Sequence, residues 1–249
     1  MSLSRVEAAK RLAAISAVDD NITPAHSIIG VGSGSTVVHV VDRLAQLGDA
    51  NKNRRFVPSG FQSRELIVNA GLNLAEVDQC TAIDVTIDGA DEVDDNLHSI
   101  KGGGACQYRE MILARMSKEW VIVADYRKNS KTLGTQWTQG VPIEIAEFGY
   151  TTTKNAIISL GATSAELRMG KAKAGPVVTD NGNLVVDAVF PQEMMKDPVS
   201  LRSKIKALTG VLEVGLFVSM AKAAYFGMED GSVQVRSPHG TRTVAAPEQ

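Results

Sequence analysis

The sequence predicts an α/β protein: a large domain built on a parallel sheet, with a smaller α+β domain inserted in it. Two observations carry this. Up to about residue 140, short apolar runs alternate with helical patterns, as in a parallel sheet layered with helices. Beyond that point the grammar changes to a strand, a helix and further strands grouped around Asn181-Gly182, the strongest short-range hairpin signal. The predicted division is 1–138 with 210–249 for the large domain and 139–209 for the small one.

The elements follow in order. Ser4 and Glu7 form a capping-box pattern, and Val6, Leu12, Ala13 and Ile15 recur at helical spacing behind it. A buried strand at 27–31 leads through a Gly/Ser loop into an amphipathic helix carrying Val37, Val38, Val41 and Leu44. Phe56 and Val57 make a short strand, 64–70 a helix and 82–87 another strand. A helix over 110–116 and a strand over 120–124 complete the first alternation. In the second part, 141–145 reads as a strand, 153–160 as a helix and 167–169 as a strand. Residues 177–186 read as a hairpin and 198–208 as a helix. The tail, with 216–218 and 232–235, is strand-rich and is expected to rejoin the large domain; the last residues, through Gln249, read as frayed.

Composition narrows the function classes. With 249 residues, 44% hydrophobic and 22% charged, the chain can bury a sizeable core. A net charge of −2 gives no general attraction to nucleic acid or anionic membrane, so any phosphate affinity is local. No apolar run is long enough to span a bilayer, and Arg5, Glu7, Lys10 and Arg11 interrupt any signal-peptide pattern. Cys80 and Cys106 are the only cysteines and form no CxxC pair, which fits a reducing cytoplasm. His26, His39, His98 and His239 are scattered without metal-ligand spacing, so the expectation is an activity with no metal and no cofactor.

Two glycine-rich segments carry chemistry. Gly30-Val-Gly-Ser-Gly-Ser-Thr36 lies between a strand and a helix, where backbone N–H groups and hydroxyls can meet a phosphate at the helix N-terminus. It is neither the dinucleotide fingerprint, since Ser35 stands where the third glycine belongs, nor a P-loop. Taken alone it reads equally as a phosphate site or a tight turn. Lys10 and the Ser59-Gly60 loop offer further donors, though each singly reads as solvated surface.

The denser segment is Asp88-Gly-Ala-Asp-Glu-Val-Asp94, followed by Lys101-Gly-Gly-Gly104 and Arg109-Glu110. Acids, a fixed cation and exposed N–H groups are what proton transfer beside a carbonyl needs. Asp88 and Asp91 are also common turn formers, but their place directly after a buried run favours chemistry. Glu92, Asp94 and Asp95 read as a solvated acidic run. Lys101 ahead of three glycines, between two apolar elements, is poorly explained as a linker. Glu110 reads as a catalytic carboxylate or as a favourable first-turn helix charge. Cys106, with no histidine near it in sequence, reads as a small buried residue.

Together these blocks resemble the A type of ribose-5-phosphate isomerase, from about residue 7 to 237. Val123-Ala-Asp-Tyr-Arg-Lys128, Lys173-Ala-Gly-Pro-Val-Val-Thr-Asp-Asn-Gly182, Gly215-Leu-Phe217 and Tyr225-Phe-Gly-Met-Glu-Asp-Gly231 match as well, the last two in the eukaryotic manner. The resemblance implies a Rossmann-like large domain with a smaller ferredoxin-like lid domain, commonly in dimers or tetramers. It implies interconversion of D-ribose 5-phosphate and D-ribulose 5-phosphate through an enediol(ate), in the non-oxidative pentose phosphate pathway. Glu110 would be the general base, with Asp88, Asp91 and Lys101 serving the sugar oxygens and the enediolate. Backbone N–H groups of Gly102 and Gly103 would assist, and Lys128 would line the site. Lys10, Ser33, Gly34, Ser35 and Thr36 would hold the 5-phosphate. Gln107-Tyr108 stands where the family usually has Leu-Thr, and Gly60 where the eukaryotic form often has serine. Two other classes stay open: an amino-sugar-phosphate deaminase or CoA transferase on a related scaffold, and a non-catalytic sugar-phosphate sensor.

Overall fold

The structure, a computed structural model, describes residues 4–245, so the reading of a frayed end at Gln249 lies outside the described residues. The first half contains α1 (Arg5–Asn21), β1 (Ile28–Val31), α2 (Ser35–Ala45), β2 (Arg55–Pro58), α3 (Phe61–Asn69) and β3 (Ile83–Gly89). Next come β4 (Glu92–Val93), β5 (Ser99–Ile100), α4 (Gln107–Met116), β6 (Ser117–Asp125) and β7 (Val141–Ile145). Then follow α5 (Tyr150–Ser159), β8 (Ser164–Leu167), β9 (Leu184–Val189), α6 (Gln192–Met195) and α7 (Pro198–Lys206). The chain closes with β10 (Val211–Val214), β11 (Leu216–Phe217), β12 (Ala223–Gly227), β13 (Val233–Ser237) and β14 (Gly240–Val244).

These elements group into two compact units. One holds the chain up to Ala90, Ile112–Asn129 and the chain from Met220 on; the other holds Asp91–Met111 and Ser130–Ser219. Segments 91–111, 130–138 and 210–219, which the sequence reading places in the large domain, fall in the second unit.

The first unit is built on a seven-stranded sheet in the order β14-β13-β12-β6-β3-β1-β2. The strands from β12 to β2 are parallel, and β13 and β14 add on antiparallel. Strands buried on both faces need continuous apolar runs. On one face the alternate residues Ile29, Val31, Val85, Ile87, Val121 and Val123 form the core with Val37, Val40, Val41 and Leu44 of α2; residues 120–124, apolar and buried throughout, show such a run. The first helix is capped as expected, Ser4 Oγ accepting the Glu7 N–H, but its buried face differs. Ala9, Ala13, Ala14, Ala17 and Val18 are buried, while Val6, Leu12 and Ile15 are only half-buried. Small side chains let the helix lie close to the sheet: a Cβ on Gly227 of β12 would fall 1.8 Å from the Ala9 carbonyl oxygen.

The second unit has a four-stranded antiparallel sheet in the order β10-β7-β9-β8. With α5 between β7 and β8, and α6 and α7 between β9 and β10, this is the β-α-β-β-α-β ferredoxin-like arrangement. Its core includes Val141, Ile143, Ile145, Ile157, Val186, Leu201 and Ile205. A small antiparallel sheet, β11-β5-β4, completes the unit.

The expected hairpin forms at its tip and at one antiparallel bridge beyond it, between Val178 and Leu184. Gly182 takes φ +78° and the Thr179 N–H bonds the Asn183 carbonyl at 2.8 Å, but residues 177–178 form no strand and β9 pairs with β7 and β8 instead. A buried carboxylate claims the tip: Glu144 Oε1 accepts from Thr179 Oγ1, Asn181 Nδ2 and Asn183 Nδ2 at 2.9, 3.0 and 2.8 Å. The strand expected at 167–169 ends instead at Leu167, although the Arg168 N–H still reaches the Val185 carbonyl.

Candidate active site

In the first unit, the turn between β1 and α2 is shaped by Asp88 at the end of β3. The Gly32 N–H donates to the Ile87 carbonyl and the Ser33 N–H to Asp88 Oδ1, at 3.0 and 3.1 Å. Asp88 is fully buried, and a Cβ on Gly32 would fall 1.9 Å from its Oδ1, so the turn requires glycine there. Gly34 then opens α2 at φ +104°, a conformation that favours glycine, with no side chain capping the helix. Ser35 and Thr36 form the first turn of α2, and Ser35 is exposed. An uncapped helix start of this kind presents N–H groups and a positive dipole end to an anion.

Lys10, on α1, is buried with its Nζ 2.6 Å from Glu7 Oε1, and Glu7 Oε2 lies 3.2 Å from His39 Nε2 on α2. Hydrogen bonds from Lys10 and then His39 hold the Glu7 carboxyl below its ordinary range. Lys128, half-buried, ends the short turn Tyr126–Lys128 after β6. There Asp125 accepts from the Arg127 side chain; burial pulls this carboxyl upward, but the Arg127 hydrogen bonds outweigh it and hold it below the usual value. Sequence reasoning missed Gln62: its Oε1 accepts the Gly34 N–H at 2.9 Å. A polar residue in the first turn of the helix after β2 is the only signal it leaves.

The second unit brings Asp91, Lys101, Gly102, Gly103 and Glu110 together. The Lys101 N–H pairs with the Gly215 carbonyl, and its Nζ lies 3.2 Å from Glu110 Oε1 and 5.6 Å from the centre of the Phe217 ring. Lys101 and Glu110 are each only 2% exposed. Glu110 stands in the first turn of α4, its N–H on the Cys106 carbonyl. Gly102 takes φ +103°, and the Gly103 N–H donates to Asp91 Oδ2 at 2.7 Å. A Cβ on Gly103 would fall 2.5 Å from Asp91 Oδ1, so a side chain there would displace that acid. Next to Glu110, Arg109 donates from Nε to Asn181 Oδ1 and from Nη2 to the Asp180 carbonyl, both at 2.7 Å.

The acidic run is not solvated as expected. Glu92 is fully buried and accepts the N–H groups of Gly134, Thr135 and Gln136. Asp94 is also buried, and burial raises its carboxyl pKa even though it accepts the N–H groups of Asn96 and His98. Asp95 alone of the three is exposed. Cys106 is half-buried, its thiol directed at the Gly104 carbonyl. Among the described residues, no group of three or more His, Cys, Asp or Glu side chains is placed to hold a metal ion. No helix among them is long and apolar enough to cross a membrane.

A buried lysine–carboxylate pair beside a glycine loop, and a glycine-shaped anion turn at a helix start, are parts suited to an enolising enzyme of a phosphorylated substrate. Known proteins agree. Residues 55–231 match the family model of ribose 5-phosphate isomerase A (phosphoriboisomerase A). A ribose-5-phosphate isomerase of Mycosarcoma maydis is 60% identical over 240 residues, spanning 96% of this chain and 84% of its own. One from Cryptococcus neoformans is 60% identical over 248 residues, spanning 96% and 82%. A solved D-ribose-5-phosphate isomerase in complex with phospho-erythronic acid superposes with a TM-score of 0.84 at 32% identity, covering 96% of this chain and 98% of that one. The chain belongs to the ribose 5-phosphate isomerase A family, enzymes that interconvert D-ribose 5-phosphate and D-ribulose 5-phosphate.

Proposed function

We propose that Glu110 is the general base of this isomerisation and Lys101 the cation that meets the charge it creates. The observation that carries the reading is their ion pair, 3.2 Å long and withdrawn from water. Burying two charges is a weak route to stability, so such a pair beside a triple-glycine loop favours chemistry. Glu110 takes the C2 proton of the open-chain aldose and returns it to C1 through a cis-enediolate. Lys101 and the backbone N–H of Gly102 face the negative oxygen, each such donor stabilising the transition state by about 3 kcal/mol, while the Gly103 N–H holds Asp91. Asp88 handles the proton moved in ring opening, and Asp91 serves a sugar hydroxyl.

Ser33, Gly34, Ser35 and Thr36 hold the 5-phosphate with Lys10, whose present partner Glu7 gives way to the ligand, while Lys128 lines the site. Binding energy from this phosphate, remote from the reacting carbons, offsets the cost of orienting them. The related enzyme solved with phospho-erythronic acid supports recognition of a phosphorylated sugar acid. The same reading gives a cytoplasmic, cofactor-free enzyme that assembles with itself as a dimer or tetramer. Two cysteines without CxxC spacing fit that compartment.

Glu110→Gln tests the base. Glutamine keeps the shape and cannot accept the proton, so the variant should fold, bind a phosphorylated sugar acid and lose nearly all isomerisation. It should also lose exchange of the substrate's C2 hydrogen with solvent deuterium, which reports abstraction separately from product release. Exchange at the wild-type rate would move the base elsewhere, to Asp88 first.

A further inference from the structure

The triple-glycine loop is held by a residue distant in sequence. Arg168, just past β8, donates from Nη1 to the carbonyl oxygens of Gly102 and Gly103 at 2.7 and 3.1 Å. Its Nε and Nη2 are occupied by Asp187 of β9, at 2.8 and 2.5 Å, with both side chains mostly buried. The planar fork of a guanidinium satisfies a carboxylate on one edge and two carbonyls on the other, which an ammonium cannot do. Because a trans peptide is planar, a carbonyl drawn toward Arg168 sends the following N–H the opposite way. The Gly103 N–H accordingly reaches Asp91, and the Gly104 N–H faces away from the guanidinium on an exposed residue.

We propose that Arg168, clamped by Asp187, is a positioning residue for the isomerisation: it sets the two peptide planes that join Gly102, Gly103 and Gly104, so that the Gly103 N–H holds Asp91 in place and the Gly104 N–H is aimed at the sugar before it arrives. The inference rests on the reading of Lys101 and Glu110 as the reacting pair. Backbone donors stabilise an enediolate only when they need not reorganise as charge forms. A glycine-rich segment has no side chains of its own to fix its peptide planes. Arg168 supplies the missing constraint from the small sheet.

The test compares Arg168→Ala and Arg168→Lys with the wild-type enzyme in kcat, KM, C2-hydrogen exchange and thermal melting. Misaligned donors predict a fall in kcat of about a hundredfold for Arg168→Ala. KM should change by less than about threefold, since the affected contacts strengthen mainly in the transition state. Added guanidinium ion should restore part of the lost kcat, which it would not do if the residue served stability alone. Arg168→Lys keeps a charge on Asp187 but cannot reach both carbonyls, so its kcat should stay low while its melting temperature stays near wild type; it also answers the question should the alanine variant fail to fold. A wild-type kcat in Arg168→Lys, or a defect confined to KM, would overturn the proposal. Glu110→Gln run alongside separates the two readings: if it still exchanges the C2 hydrogen, the base assignment falls, whereas kcat of the Arg168 variants judges the loop.

Discussion

The two glycine-rich turns of this protein solve different problems. At the turn before α2, glycine is required by what lies beneath it: Asp88 leaves no room for a Cβ on Gly32. The groups it offers, around Gly34 and Ser35, are exposed. At Gly102–Gly104 the constraint comes from hydrogen bonds at the loop's edges, to Arg168 and Asp91, beside a buried ion pair. The first turn suits a dianion that keeps part of its hydration. The second suits charge that appears only during reaction and must be met without water. Electrostatic effects should therefore be large at the second turn and moderate, salt-sensitive ones at the first.

The largest expected effect is at the buried pair. Lys101→Ala should lower kcat by about tenfold to a thousandfold, with less change in KM. It should also cost about 3–5 kcal/mol of stability, because Glu110 would be left as an uncompensated buried charge. Steady-state kinetics below the melting temperature and denaturant titration check the two parts. An unaltered kcat would make the two turns equivalent and return Lys101 to structure.

A smaller effect is expected at the exposed turn. Ser35→Asp places a negative charge where the phosphate is proposed to sit, and should raise KM for ribose 5-phosphate by about tenfold, less at high salt. Ribose without the phosphate should be a very poor substrate. Equal turnover of the two sugars would break the assignment of this turn.

The smallest effect provides a control on the same strand as Asp88. Asp84 accepts the N–H groups of Ser27 and Ile28 at 2.8 and 3.0 Å, and pairs with Lys118. Partial burial pulls its pKa up, but the hydrogen bonds from Lys118, Ile28 and Ser27 outweigh this and bring it down to about 2. A lowered folded-state value stabilises the fold above the unfolded value of about 3.9. That contribution is lost as pH falls through about 2. Asp84→Asn should therefore cost about 1 kcal/mol or less at neutral pH after solvent screening, shrinking toward zero in strong acid. Urea midpoints across pH check this, and kcat should not change. A loss of kcat in Asp84→Asn would show that any acid on this strand matters.

Much of the protein was legible in the chain. Apolar runs at 28–31 and 120–124 declared two of the parallel strands, because strands buried on both faces need continuous apolar sequence. The block from Asp88 to Glu110 pointed to the proposed chemistry, because acids, a lysine and glycines so close together favour proton transfer beside a carbonyl. Local sequence also set the capped start of the first helix at Ser4 and the turn at Asn181-Gly182. It could not set the buried face of that helix, since alanines pattern weakly against Leu12 and Ile15. It could not tell that Glu92 and Asp94 are buried while Asp95 is not, because burial depends on backbone donors that arrive from elsewhere, as those of residues 134–136 do for Glu92. The same holds for the contacts of Arg168, 66 and 65 residues from the carbonyls it grips, and of Gln62, 28 residues from Gly34. Residue type and spacing determine which groups can react; only the tertiary structure, by bringing donors together across the sheet, decides which are withdrawn from water and how they are aimed.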